Sequence, residues 1–472
     1  MKKTTILALA AFIFCSAVSA DAANKTVKRN PVKDWTLAVF INADNNLDRF
    51  GAQDQEEMSK IGSNEDLNIV TLIDREQGPA QINYIENYKI NKIKDMGELD
   101  MGDYKEFVKF VKFVKENYPA NHYAIGFWNH GSGWKKKDEN DVVRGISYDD
   151  SSRNHITTND LTVAMKEVNQ ILGKKVDLLF FDACLMQMVE VAYAVKDSAD
   201  YMLASEETEP GKGAPYDDIL KTWKKGITAK QFGINWVNAF ADSYNGGSQG
   251  RAGSTQSLID LSKFPKFVDA INGLAKAGLN RDYSTLFKNV FKFTQRYAYP
   301  ENMDLLHFAE IMRVDTGYAP IEQLKTQYID ASLKTALDKL DAAGKELIVA
   351  NRTTTDKLKE SKGIAIYFSD SWYAPWLYQD LAFAKETLWD DMLVAQGEFA
   401  EITKVVSEAK EGKFGSLGQV ISKAKKDPKN KVYRRILNQL NFIAETERSV
   451  PAKSQAEFDR YREKLKAAIA AN

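Results

Sequence analysis

Cysteine is nearly absent from this chain. Only Cys15 and Cys184 occur in 472 residues, too few for the clustered thiols of a structural zinc site or a disulfide scaffold. Histidine is almost as scarce, with His122, His130, His155 and His307 alone. No charge of one sign dominates: 64 basic side chains stand against 65 acidic ones, which leaves no general field for holding nucleic acid. After residue 20 no apolar run reaches the roughly 20 residues that a membrane-spanning helix needs. Solenoid-period repeats, a glycine-rich phosphate loop and a Gly-x-Ser-x-Gly elbow are all missing. What remains is enough chain for two to three domains with a large core. Its few chemically active side chains therefore carry the argument.

The first 20 residues stand apart. Lys2 and Lys3 precede an apolar stretch from Ile6 to Phe14, and Ser16, Ala17, Ser19 and Ala20 follow. A basic start, a short apolar core and a small-x-small exit read as a secretory signal peptide cut after Ala20. Bulky Ile13 and Phe14 argue against lipid attachment at Cys15. The expectation is an extracytoplasmic protein, secreted or periplasmic. Its mature form keeps one cysteine, Cys184, which has no partner for an internal disulfide. An unpaired thiol in an oxidising compartment is a liability, so its retention points to a nucleophile.

That thiol follows Val176–Phe181 (VDLLFF), an apolar run of the kind found in strands buried on both faces. Helical spacing is read from Leu185 through Met188, Val189 and Ala192. Functional groups gather at the carboxyl ends of parallel strands, before the crossover helix. Trp35–Ile41, Leu67–Ile73, Tyr123–Trp128, Tyr201–Ser205 and Gln256–Leu261 read as further strands, and Gln81–Ile90 as an edge hairpin. Helices are read near Met58, over Asp103–Tyr118 and over Thr158–Leu172. This alternation predicts an α/β fold. From Ser262 to about Gln396 the pattern is mainly helical, with one strand at Gly363–Phe368 and then the aromatics Trp372, Tyr373, Trp376 and Tyr378. Charged helices follow.

Of the histidines, only His130 ends a buried strand, with Gly131 directly after it. A thiol must become a thiolate to attack a carbonyl, and an imidazole can manage its proton. Backbone N–H groups of Gly131 and Cys184 suit an oxyanion hole, since a glycine permits close approach. The residues thus fit a cysteine–histidine hydrolase. A non-catalytic exported binding protein, with the aromatic cluster as its contact surface, is the alternative. A thiol redox protein lacks its second cysteine.

The segments FWNHGSGW (127–134), GISYDD (145–150), LLFFDACLMQMVEVAY (178–193), ASEETEPG (204–211), LIDLSKF (258–264) and GIAIYF (363–368) resemble the clostripain family of cysteine peptidases, in the caspase-like clan. The resemblance implies a caspase-like α/β/α sandwich around a mostly parallel sheet. It divides the chain into a catalytic domain (24–262), a mainly helical C-terminal domain with a returning strand (263–397) and a helical tail of unknown role (398–472). It implies Cys184 as nucleophile, His130 as its acid–base partner and Gly131 as oxyanion donor. Asp182, with Ser205 and Glu206, would line a pocket for a basic P1 side chain, Glu207 being a further candidate. Substrates would be proteins or peptides cut after arginine or lysine. Self-cleavage is expected in the polar stretch 135–154, first at Arg144, with Lys135–Lys137 and Arg153 as other sites. The expected product is a monomer of one chain or two associated chains. No cofactor is expected: Asp149–Asp150 and Glu206–Glu209 offer carboxylates for a cation or for loop capping, and calcium is not favoured.

Overall fold

A computed structural model describes residues 30–134, 145–446 and 450–470. The leader read at 1–20 lies outside them. The first half alternates as expected: β1 (Lys33–Ala43), α1 (Asp48–Ile61), β2 (Leu67–Arg75), the hairpin β3 (Ala80–Glu86) and β4 (Lys89–Gly97), α2 (Tyr104–Asn117), then β5 (Ala120–Trp128). A small hairpin of β6 (Ile146–Asp149) and β7 (Asn154–Ile156) leads to α3 (Thr158–Leu172), β8 (Val176–Asp182), α4 (Val189–Val195) and β9 (Ala199–Ala204). Helices α5 (Tyr216–Leu220) and α6 (Ala229–Tyr244), the short ribbon β10 (Asn245–Gly247) and β11 (Gly250–Arg251), and β12 (Thr255–Asp260) follow. The polar stretch read as one loop to Asn154 is therefore shorter, because Ile146–Asp149 are buried strand residues.

Nine strands form one sheet in the order β14-β12-β9-β8-β5-β1-β2-β3-β4, where β14 is Ile348–Thr353. The five central strands from β9 to β2 run parallel, and two antiparallel strands close each edge. The sheet is thus mixed, with a parallel heart. Strand alternation sorts its side chains into two cores. Ala38, Phe40, Leu179 and Phe181 face α2 and α3, whereas Leu37, Val39, Ile41, Leu178 and Phe180 face α1, α5 and α6. From β1 the chain builds outward to β2 and, later, to β5, β8 and β9 on the other side. The strand order reverses there, and such a reversal opens a crevice above the carboxyl ends of parallel strands.

The region after residue 262 is not separate from this sheet. Its strand β14 pairs with β12, Leu258 opposite Ala350. The strand read at Gly363–Phe368 is β15 (Ala365–Tyr367), paired with β13 (Asn302–Asp304), and Ala365 N–H bonds Gln187 O at 3.0 Å. One apolar cluster runs from Ala38 to Leu393. A further cluster, separate from both cores of the sheet, occupies the last helices, from Ile402 to Ala468. The helix Trp389–Lys410 belongs to both, so the boundary read at 397 falls inside a helix. At that place Gln396 is buried, with its amide bonded to Gly278 O and Arg281 O and its carbonyl accepting from Tyr283 N. Among the described residues no helix is long and apolar enough to cross a membrane. Of the aromatic cluster, Tyr378 is buried against Trp134 and Tyr367 rather than presented to solvent.

Gly126 is fixed by this packing. A Cβ there would lie 2.0 Å from the ring of Phe180 on the neighbouring strand. Gly126→Val should destabilise the protein by about 1–3 kcal/mol. Gly273 sits in the helix Phe264–Asn280 with open space around it. Gly273→Ala should stabilise by about 0.5–1 kcal/mol. Urea unfolding of the two variants checks both signs.

Candidate active site

Three strand ends meet at the crevice. β1 ends in the turn Asn42–Asn46, β5 runs into Asn129–His130–Gly131, and β8 ends at Asp182, before Ala183–Cys184. Register sets their heights: Ile41 pairs with Trp128, and Trp128 with Asp182. Beyond the strands, Asn129 N–H bonds Asp182 O at 3.2 Å. The Asn129 side chain donates to Asn42 O and accepts from Tyr148 N at 2.7 Å. Asn45 donates to Tyr148 O at 2.8 Å. These buried amides hold the three loops as one piece.

The helix read from Leu185 starts later, at Val189. Leu185 takes φ 64°, a left-handed conformation that a continuing helix excludes. Residues 183–188 are instead a connection bonded to the segment after β9, Leu185 N to Glu207 O (3.1 Å) and Gln187 N to Ser205 O (2.9 Å). This turn presents Cys184 to the crevice. Gly131 lies directly against it, since a Cβ on Gly131 would come 2.4 Å from Cys184 O. Only glycine fits there, and the backbones of the two residues named as oxyanion donors are in contact.

Cys184 and His130 line the same cavity of about 260 Å³, together with Leu47, Trp128, Asp182, Glu209 and Gly213. His130 Nε2 faces Asn46 Oδ1 at 2.7 Å. An amide oxygen accepts, so Nε2 carries the hydrogen and Nδ1 keeps its lone pair. Burial holds the imidazole below its ordinary pKa, against the opposing charge of Asp150. The thiol is pushed up to about 12, chiefly by burial and then by the charge of Glu209. Both shifts favour the neutral forms, and the two side chains are not hydrogen-bonded to each other. Sγ instead accepts from Glu209 N at 3.2 Å.

Asp182 and Glu209 bring carboxyls to the cavity lining, and Asp54 lies next to Asp182. Asp182 is buried and accepts from Ala214 N (3.1 Å) and the Tyr216 hydroxyl (2.9 Å). Asp54 of α1 accepts from Trp128 Nε1 at 2.6 Å. The Glu209 carboxyl stands beside Asp182, and the charge of Asp182 acts on it. Burial raises the pKa of all three, and the charge of Asp182 raises Asp54 and Glu209 further. Gly213 keeps the space open: a Cβ there would stand 2.9 Å from Asp182 Oδ1 and 3.3 Å from Asp54 Oδ2. Neither lysine nor arginine is among the described lining residues.

Two residues read into this pocket lie elsewhere. Ser205 is buried and bonded to Glu207 O and Thr255. Glu206 points into the C-terminal region, where the Tyr297 hydroxyl donates to it at 2.7 Å beside Asp304. Glu207, the further candidate, accepts from Thr208 N and Ala298 N and does not line the cavity either. The extended strand ends at Ala204, so the alternation that would have aimed Ser205 and Glu206 at the crevice has already stopped. Glu209 was the acid of that run to choose. Asp54 left a signal too, because it lies on the face of α1 that carries Gly51, Gln55 and Met58, all buried. Asp149 serves as a loop cap, accepting from Met101 N and Ser152 N. Among the described residues no group of three or more potential ligands is arranged to hold a metal ion. Lys135 and Arg144 lie outside the described residues, whereas Arg153 is exposed in the turn between β6 and β7.

Clostripain from Hathewaya histolytica is 30% identical over 302 residues, which span 52% of this chain and 57% of that protein's length. A secreted C11 cysteine protease from Bacteroides thetaiotaomicron, solved with an irreversible peptide inhibitor, superposes with a TM-score of 0.58 at 19% identity, covering 76% of this chain and 99% of that one. An inactive zymogen C11 protease from Parabacteroides distasonis gives 0.56 at 20% identity, covering 76% and 99%. At such identities these structures establish the fold, a caspase-like α/β architecture, and nothing finer. The Peptidase_C11 model, described as the clostripain family, matches residues 39–395, and the chain accordingly belongs to the clostripain family.

Proposed function

We propose that the protein is an exported cysteine endopeptidase that cleaves after arginine or lysine. One observation carries the reading. A thiol and an imidazole open onto a single cavity lined by the carboxyls of buried Asp182 and half-buried Glu209, with no lysine or arginine among its described lining residues. Buried carboxylates that lack a counter-charge are costly, and a ligand cation relieves that cost. Asp182 can pair with a guanidinium through both oxygens, or more loosely with an ammonium. Cys184 attacks the carbonyl carbon while its proton passes to His130. The same proton then goes to the leaving amine, and the backbones of Gly131 and Cys184 face the developing oxyanion. Water hydrolyses the resulting thioester.

Self-cleavage belongs to the same proposal. The described flanks of the segment 135–144 are tied together: Ser132 N bonds Gly145 O at 3.0 Å, and Gly145 N bonds Ser132 Oγ at 3.1 Å. Gly145 is buried, at φ 101°, with Ile156 O 2.1 Å from where a Cβ would be. A cut after Arg144 has to open that clamp, which favours Lys135–Lys137 for the first cut. The flanks stay joined after either cut.

An arginyl or lysyl acyloxymethyl ketone should label the wild type irreversibly at Cys184 and leave Cys184→Ala unlabelled. His130→Ala should lower kcat/KM by several orders of magnitude. Labelling that is indifferent to the P1 side chain would refute the basic pocket, and an unreactive thiol would refute the peptidase. Asp182→Asn should reduce kcat/KM for arginyl substrates by about 10- to 100-fold, with a smaller loss for a neutral P1 residue, as steady-state kinetics on matched peptides will show. Purified wild type should separate into two chains on a denaturing gel, and Cys184→Ala should remain single. A fully active yet uncut wild type contradicts activation by cleavage.

A further inference from the structure

Glu209 touches the site twice. Its backbone N–H donates to Cys184 Sγ at 3.2 Å, while its buried carboxyl lines the same cavity. One oxygen of that carboxyl accepts from Gln256 Nε2 at 3.4 Å, and the other is buried with no partner. One residue therefore grips the nucleophile with its main chain and faces the pocket with its acid.

We propose that Glu209 couples the charge in the P1 pocket to the ionisation of Cys184, so that a guanidinium or ammonium group seated among the carboxyls switches the thiol on. The proposal rests on the basic-P1 reading and deepens it: the pocket selects by activating the nucleophile as well as by binding. Every neighbour points the same way. Asp182 comes from β8, Asp54 and Glu57 from α1, Glu207 and Glu209 from the segment after β9, Tyr216 from α5 and Tyr244 from α6. His130, the one basic side chain among the described lining residues, is biased towards its neutral form by burial. Each of these side chains is acidic or neutral, so a thiolate formed in the empty pocket is opposed by burial and by the carboxyls, with the Glu209 N–H as the one bond that favours it. A bound cation cancels one unit of that opposition. The S–H bond then breaks more readily, its electron pair staying on sulfur and its proton passing to Nδ1 of His130 or to water. A neutral P1 side chain brings no such charge, and the thiol stays protonated.

Alkylation of Cys184 by iodoacetamide, a small neutral electrophile, reads the thiolate directly: the C–S bond forms and iodide leaves. The rate is to be followed across pH on the full mature chain, alone, with methylguanidinium, and with the neutral isostere N-methylurea. Methylguanidinium should lower the pH midpoint by about 1–3 units, and N-methylurea should leave it in place. Glu209→Gln should lower the midpoint without any cation and shrink the further shift. An unchanged midpoint under methylguanidinium that competes with an arginyl substrate overturns the coupling and leaves the basic pocket standing. Methylguanidinium that fails to compete at all overturns both. A folded Glu209→Gln with the wild-type midpoint removes Glu209 from the role. Should that variant not fold, the wild-type shift alone decides.

Discussion

Parallel pairing of β1, β5 and β8 is the constraint from which the site follows. Parallel strands bring their carboxyl ends to one edge, and the register places Ile41, Trp128 and Asp182 side by side. The chain reverses its direction of growth at β1 and leaves a gap above that edge. His130, Cys184 and the Asn42–Asn46 turn are each only a few residues beyond a strand that cannot shift without moving its neighbours. The buried amides of Asn45 and Asn129, both bonded to Tyr148, carry this rigidity past the ends of the strands. A one-residue slip would turn Asp182 towards α2 and α3 and away from Asp54.

Electrostatics supplies the other half. The cavity brings together carboxyls from β8 and the segment after β9, with Asp54 of α1 acting on Asp182 from beside it, and no described lining residue is a lysine or arginine to balance them. Such an arrangement is unfavourable for the free protein and persists because Trp128, Tyr216 and the Ala214 amide donate to Asp54 and Asp182. The resting thiol shares in the strain, being both buried and surrounded by acid.

Much of this was legible from the chain, and the gaps have physical reasons. Apolar runs such as Val176–Phe181 are unambiguous because both faces of their strands are covered. His130 and Cys184 stood out by scarcity. Strand β14 did not, since all six of its residues are half-buried and its partner β12 lies about a hundred residues upstream. The start of α4 was misread because Leu185 is apolar at helical spacing, yet its backbone turns left-handed to present the thiol. The correct acid among Glu206, Glu207 and Glu209 depended on where β9 stops, which alternation cannot give.

The helix Trp389–Lys410 has a thermodynamic consequence. Its hydrogen-bond ladder runs unbroken from one core into the other over 22 residues, about 33 Å. Melting of the last helices strips apolar support from Ile402, Val405 and Val406, and fraying then travels back along the ladder, with no loop to halt it. It slows where the helix is tied to the main body, first by Thr403 to Asp282 and then by Gln396 with its three bonds to Gly278, Arg281 and Tyr283. The border between the two cores therefore falls within two turns in mid-helix, and hydrogen-exchange protection should change across them.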